Sequence, residues 1–189
     1  MKYKIGIIGA GNVGGTLGRV WAAAGHDVLF GVRAPATAEA IGRMGTLAEA
    51  FAFGEVLVLA TPWSAVKDVL RQAGPLAGKI LFDCTNPLLP GLAGLECGTS
   101  TSGAEMVAGW APGARVVKVF NTTGFNVMAD PRFEGGPPAM FYCGDDAGAK
   151  SAAHQLAEEA GFEALDAGPL TQARLLEPYA LLWITLAMK

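Results

Sequence analysis

The chain is short of charge, short of histidine and free of long apolar runs, and each shortage excludes something. Charged residues make up 16% of its 189 positions and hydrophobic ones 51%, against about 25% charged in ordinary soluble domains. Part of the surface is therefore expected to be covered by another subunit. The net charge is −3 with no basic block, which argues against nucleic acid or an anionic membrane surface and in favour of a small-molecule substrate. The three cysteines, Cys84, Cys97 and Cys143, are odd in number and lack CxxC spacing, so neither a disulfide framework nor a metal site is expected. No stretch approaches the ~18 apolar residues that span a bilayer, and no targeting segment is recognised. A cytoplasmic chain is expected, folded over residues 1–189 as one domain.

What is present begins at the amino end. Ile5, Ile7 and Ile8 form a short β-branched run, as in a parallel strand covered on both faces. It breaks into Gly9-Ala-Gly11-Asn-Val-Gly14. In such a turn the first glycine permits the bend, the second lets the backbone approach a pyrophosphate, and the third lets the next helix press on the strand. That helix would turn its positive amino end towards the anion. Gly9, Gly11 and Gly14 are thus candidate dinucleotide contacts, with a purely structural corner as the rival reading.

After a second strand over Val28–Phe30 the chain reads Gly31-Val32-Arg33, where NAD-selective chains usually carry an acidic residue. A missing carboxylate and an arginine favour NADP, whose 2′-phosphate a guanidinium can pair. Thr37 would add a hydroxyl. The rival is a solvated loop arginine. A short helical piece is expected near Thr37–Gly42 and another over Thr46–Phe53, with a vestigial third strand near Arg43–Gly45. Further strands are expected over Glu55–Ala60, Lys79–Cys84, Arg115–Phe120, Pro138–Cys143 and Phe162–Leu165, giving about eight with helices on both faces: a doubly wound parallel α/β sheet of Rossmann type.

The early strands end in Gly, Thr, Asn or Pro, so Gly9, Thr61, Asn86 and Asn121 should converge on one cleft. Asn86 and Asn121 are candidates for the ribose or nicotinamide amide, or else shape turns. Trp63 stacks on a ring or packs. The irregular stretch between Asn86 and Pro112 is a candidate substrate lid or a flexible insertion, with a capping box at Ser102 and Glu105. A final helix, about 171–188, is apolar nearly all round and is expected to make a homodimer contact.

No proton-carrying residue stands out: His26 and His154 read as solvated, and Lys118 reads as paired with Asp83. No catalytic side chain is assigned. Hydride exchange between a nicotinamide and a flavin-like ring needs mainly positioning, so this poverty favours that reaction.

Gly9-Ala-Gly-Asn-Val-Gly14, Gly31-Val-Arg33, Ala60-Thr-Pro-Trp63, Asp83-Cys-Thr-Asn-Pro87, Lys118-Val-Phe-Asn121, Gly144-Asp-Asp146, Asp166-Ala-Gly-Pro169 and Arg174-Leu-Leu-Glu-Pro178 together resemble the NADPH-dependent reductases of the deazaflavin coenzyme F-420. The oxidoreductase domain of the transmembrane ferric reductases is similar to that family. The resemblance implies hydride transfer between NADP and the deazaflavin, or a flavin in relatives, in a homodimer. It implies NADP contacts at Gly9, Ala10, Asn12, Val13, Val32 and Arg33. It also implies a nicotinamide and substrate cleft lined by Thr61, Pro62, Asn86 and Pro87. Trp63, Pro87 and Thr122 are the candidate substrate contacts. Val32 stands where the family often has Ser, and no basic, glycine-containing tail follows Lys189; both are expected to lower NADP preference or activity. The alternative function is a non-catalytic NADPH-binding sensor or partner module.

Overall fold

Side chains in the central strands alternate between two separate apolar cores. Ile5, Ile7, Val56, Val58 and Phe82 join one cluster, while Ile8, Leu57, Leu59 and Leu81 join the other. Strands buried on both faces read as unbroken apolar runs, which is why they are visible in the sequence. The computed structural model describes residues 1–33 and 42–189. Thr37, and the helical piece expected around it, lie outside the described residues.

The strands are β1 (Lys4–Ile8), β2 (Asp27–Gly31), β3 (Met44–Gly45), β4 (Val56–Leu59), β5 (Ile80–Asp83), β6 (Arg115–Lys118), β7 (Ala139–Gly144) and β8 (Glu163–Asp166). They form one sheet in the order β3-β2-β1-β4-β5-β6-β7-β8. The first six are parallel. Not all of the expected parallel sheet holds: β7 runs antiparallel to β6, and β8 follows β7 in parallel. The strand order reverses between β1 and β4, which in a doubly wound sheet places the ligand crevice outside their carboxyl ends.

The helices are α1 (Asn12–Ala23), α2 (Leu47–Phe53), α3 (Trp63–Arg71), α4 (Gly103–Trp110), α5 (Phe125–Ala129), α6 (Ala147–Glu159) and α7 (Ala173–Ala187). Leu17 and Trp21 of α1, Met128 of α5 and Leu156 of α6 enter the first core. Phe51 of α2, Val66 of α3, Val107 of α4 and Leu176 of α7 enter the second. The Trp21 indole N–H donates to the Leu156 carbonyl at 2.9 Å, tying α1 to α6 beneath the sheet. Among the described residues no helix is long and apolar enough to cross a membrane.

His26 is a correction to the sequence reading. It is 6% exposed rather than solvated. Gly25, at φ +91°, bends the chain between α1 and β2. The His26 ring then accepts from the Tyr3 N–H at 3.1 Å on Nδ1 and places Nε2 2.5 Å from Glu159 Oε2. It stacks on Tyr3 with the rings 3° from parallel. It does lie at the amino end of the sheet, as expected, far from the crevice. His154 is half-exposed, with Nε2 3.2 Å from Glu158.

Candidate active site

The three glycines of the first turn do different work. Gly9 has φ +107°, and a Cβ there would sit 2.6 Å from the Ala60 carbonyl oxygen. At Gly14 a Cβ would lie 2.1 Å from the Gly9 carbonyl oxygen. At Gly11 it would meet nothing within 4 Å. Gly9 and Gly14 therefore build the corner, and Gly11 leaves an open seat in front of it.

The helix behind that seat is bare. No side chain caps α1, and no acidic residue occupies its first turn. The starts of α3, α5 and α7 are bare in the same way, whereas Thr46 and Glu49 form a capping box on α2, Ser102 accepts from Glu105 N–H on α4, and Asp146 accepts from Ala149 N–H on α6. Unpaired N–H groups and a positive dipole end facing an open glycine make an anion seat. Val32 is partly exposed and Arg33 exposed just beyond the carboxyl end of β2, with no carboxylate in the Gly31-Val-Arg33 run. These residues fit the pyrophosphate and 2′-phosphate of NADP.

A cleft of about 480 Å³ opens at the reversal point, lined by Val13, Ala60–Ser64, Cys84–Asn86, Leu88–Pro90 and Glu96. It joins Val13, Thr61, Pro62, Trp63 and Asn86 as the sequence expects. The Thr61 hydroxyl is buried there without a hydrogen-bond partner, a polar atom left for a ligand. Three other candidates are not on the cleft surface. Asn121 is 2% exposed and Thr122 6%, and Pro87 is buried. Asn121 Nδ2 donates to Asn86 Oδ1 at 3.1 Å and to the Leu176 carbonyl at 3.2 Å, so it steadies Asn86 from behind. Phe120, at φ +61°, makes the bend that delivers Asn121 to that position; a left-handed non-glycine residue costs roughly 1–2 kcal/mol. The Thr122 hydroxyl faces the Met140 sulfur at 3.7 Å.

Trp63 packs, and it does so at the cleft. It lines the cleft, and it leans on Trp110 with ring centroids 5.6 Å apart. The stretch expected as a lid folds back on itself: Leu88 bridges Leu95, and Leu89 N–H donates to the Gly94 carbonyl at 2.9 Å. Its first residues form one wall of the cleft.

Beneath the β5 wall lies a fully buried ionic cluster that the sequence shows only in part. Lys118 Nζ is 2.9 Å from Asp83 Oδ2, the expected pair, and 3.0 Å from Glu177 Oε1. Asp83 Oδ1 accepts from the Thr85 N–H at 2.9 Å and from its hydroxyl at 2.6 Å. Glu177 also accepts from the Gly103 and Ala104 N–H groups at 2.8 and 3.0 Å, closing the start of α4. Burial alone would lower the Lys118 pKa, but Asp83 and Glu177 outweigh it and raise it. A raised lysine pKa means that this stabilisation is complete below the ordinary lysine range and fades only as pH rises above it. Glu177 was missed as a site residue; its signal was a single acid inside an apolar helix.

The thiols are unsuited to nucleophilic work. Burial raises Cys84, the one on the cleft, well above the usual range, and pushes Cys143 up to about 12. Among the described residues no His, Cys, Asp and Glu cluster could hold a metal.

Residues 4–87 match the family described as NADP oxidoreductase, coenzyme F-420-dependent. A structure from Arthrobacter sp. fb24, assigned as an F-420-dependent NADP-reductase, is 34% identical; the two overlap over 97% of this chain and 93% of that one, with a TM-score of 0.88. The chain belongs to the coenzyme F-420-dependent NADP oxidoreductase family. Metalloreductase STEAP3 of Rattus norvegicus is 32% identical over 92% of the chain, which spans only 36% of that relative. A reductive aminase from Aspergillus terreus in complex with NADPH has the same fold at 19% identity, TM-score 0.72, over all of this chain and 62% of that one. Membership of an NADP oxidoreductase family agrees with the nucleotide that the sequence expects.

Proposed function

We propose that this chain transfers hydride between NADPH and an isoalloxazine-type ring, either the deazaflavin coenzyme F-420 or a flavin. The observation that carries the reading is the composition of the cleft: beyond the glycine turn its walls are mostly apolar, hydroxyl- or amide-bearing, and among the described residues they contain no His, Lys or Tyr, while their one carboxylate, Glu96, is engaged by the Trp63 indole. Reduction of a simple carbonyl calls for such a proton carrier at the reacting oxygen. When bound, the nicotinamide supplies a hydride, and the acceptor ring takes its proton from water.

The chain's own part is to bind and align. Gly11 and the amino end of α1 seat the pyrophosphate, and Arg33 pairs the 2′-phosphate. The unpartnered Thr61 hydroxyl and the braced Asn86 amide are the polar groups available to a nicotinamide carboxamide. Trp63, Leu88 and Leu89 give the acceptor ring an apolar surface and exclude water from one face. The reading is tested by mixing protein and NADPH with the deazaflavin, FMN, FAD and riboflavin and following nicotinamide absorbance. Oxidation with at least one acceptor is expected; tight NADPH binding with no oxidation by any of them would instead favour the sensor reading.

Arg33→Ala is expected to weaken NADPH binding by about tenfold or more while leaving NADH unchanged, the scale of one charge-assisted phosphate contact. Isothermal titration with both nucleotides checks it; equal losses for the two would remove Arg33 from the phosphate site.

The same reading includes a homodimer built on α7. Leu175, Tyr179, Leu182 and Leu186 are 66%, 48%, 59% and 59% exposed, and their spacing puts them on one helix face. Leu182→Asp is expected to halve the mass seen by light scattering with little change in secondary structure. A wild-type protein that is already monomeric would rule this contact out.

A further inference from the structure

The helix that carries the dimer face is also joined to the floor of the cleft. Glu177 is 1% exposed, and its carboxylate meets Lys118 of β6 at 3.0 Å and the Gly103 and Ala104 N–H groups that open α4. Gly103 is pressed against the cleft wall in turn: a Cβ there would lie 3.1 Å from the Trp63 ring and 3.2 Å from Pro87. Lys118 donates to the Thr85 carbonyl. One residue earlier, the Leu176 carbonyl accepts from Asn121 Nδ2 at 3.2 Å, and the same amide donates to Asn86 Oδ1 at 3.1 Å. Two consecutive residues of α7 thus reach Trp63, Thr85 and Asn86, all on the cleft surface, each through one intermediate.

This anchoring stops half-way along the helix. The residues that α7 buries are Ala173, Leu176, Glu177 and Ala180, and from Leu181 onward every residue is half-buried or exposed. Pro178 lies at the boundary. It has no N–H to return to the Arg174 carbonyl, so the helix lacks a bond where its anchored half meets its free half. In the free half Trp183 rests against Gly124, in the loop that follows Asn121, with its indole N–H enclosed and, among the described residues, without an acceptor. A segment with few buried contacts opens at low cost, and here the opening adjoins Glu177.

The exposed side of α7 continues onto the sheet. Tyr179 meets Phe141 with ring centroids 6.3 Å apart, and Phe141 stands beside Leu165 of the edge strand β8, itself 37% exposed. A helix ridge next to an open apolar sheet face is self-complementary about a two-fold axis, the ridge of one copy lying on the face of the other. A second copy of the chain is the occupant that fits.

We propose that α7 couples self-association to nucleotide binding. A partner that covers the free half fixes the helix at Pro178, and Leu176 and Glu177 then present the Trp63, Thr85 and Asn86 surface ready-made to NADPH. In the lone chain the nucleotide must itself order that joint, so it binds less tightly. The inference rests on the NADP and homodimer readings above.

Linkage allows the coupling to be measured from both ends. NADPH is titrated into wild-type protein above and below its dimer dissociation constant and into the monomeric Leu182→Asp variant, and that dissociation constant is measured by analytical ultracentrifugation with and without saturating NADPH. The dimer is expected to bind NADPH about fivefold more tightly than the monomer, the low end of ordinary coupling. Because a dimer fills two sites, saturating NADPH should tighten self-association by the square of that factor, roughly 25-fold. Glu177→Gln leaves the exposed strip intact and removes the charge that pairs with Lys118, so the NADPH affinities of monomer and dimer should come within about twofold of each other. The wild-type and Leu182→Asp measurements decide the matter even where Glu177→Gln fails to fold. Equal NADPH affinity in dimer and monomer, or a dimer dissociation constant unmoved by NADPH, would overturn the coupling and leave the NADP and homodimer readings in place. Wild-type protein that stays monomeric with and without NADPH would refute the homodimer and the coupling with it, and a dimer that binds no NADPH would refute the nucleotide site and the coupling with it.

Discussion

Gly11→Glu is expected to abolish useful NADPH binding while leaving the protein folded. The open space around Gly11 accepts a side chain without contact within 4 Å, and its φ of −75° suits any L residue. A melting temperature within a few degrees of wild type is therefore expected. The new side chain would occupy the seat in front of the α1 amino end and bring a negative charge to it. Losing those N–H contacts and adding repulsion should weaken NADPH by at least about 100-fold, or about 2.7 kcal/mol. Gly14→Ala should behave in the opposite manner. Its Cβ would be driven to 2.1 Å from a backbone oxygen, so the corner must distort, and loss of stability should come before any question of binding. Titration calorimetry together with thermal unfolding on both variants separates the two roles. Equal binding by wild type and Gly11→Glu would mean that the pyrophosphate sits elsewhere.

Lys118→Met should produce the largest stability loss in the chain. The substitution keeps the apolar stem but leaves Asp83 and Glu177, 0% and 1% exposed at their side chains, without their cation. Removing one partner from a buried ionic cluster costs roughly 3–5 kcal/mol, and at this chain length each kcal/mol shifts the melting temperature by about 2–4 °C. A fall of about 10 °C is expected. The effect should not be confined to stability. Asp83 fixes Thr85, so the neighbouring Asn86 is set less firmly and the affinity for NADPH should fall as well. Adding Glu177→Gln to Lys118→Met should restore part of the loss, because one of the stranded charges is gone while an acceptor for the α4 amino end remains. A Lys118→Met protein within 1 kcal/mol of wild type would show that the cluster is not held as described.

The parts of the molecule that were legible in the sequence are those where local pattern and global fold agree. β1, β4, β5 and β6 are short, mostly apolar and covered on both faces, and the glycine turn is a local chemical requirement that sequence spacing records directly. The reversal of β7 was not legible, since an apolar strand has the same pattern in either direction. His26 was misjudged because its partner Glu159 is 133 residues away; an isolated histidine after a glycine reads as solvated until the helix that supplies the carboxylate is in place. Asn121 and Thr122 illustrate a related difficulty. They end a strand on the correct side, but a strand end marks only the neighbourhood of the cleft, and the left-handed Phe120 turns both side chains inward. Lys118 with Asp83 was foreseen from adjacent strands, whereas Glu177 joins them from α7, an element whose placement no short-range pattern fixes.

The central claim, hydride transfer from NADPH to an isoalloxazine-type ring, is tested most directly with a 5-deazaflavin and NADPH deuterated at the transferable position of the nicotinamide. The acceptor atom of a deazaflavin is a carbon, so a transferred hydride stays where it lands and does not exchange with water. The account predicts that NADPH is oxidised in step with reduction of the deazaflavin, and that mass spectrometry of the reduced product finds the deuterium on that ring. NADPH that remains unoxidised, or deuterium that appears in solvent and not in the product, would contradict it.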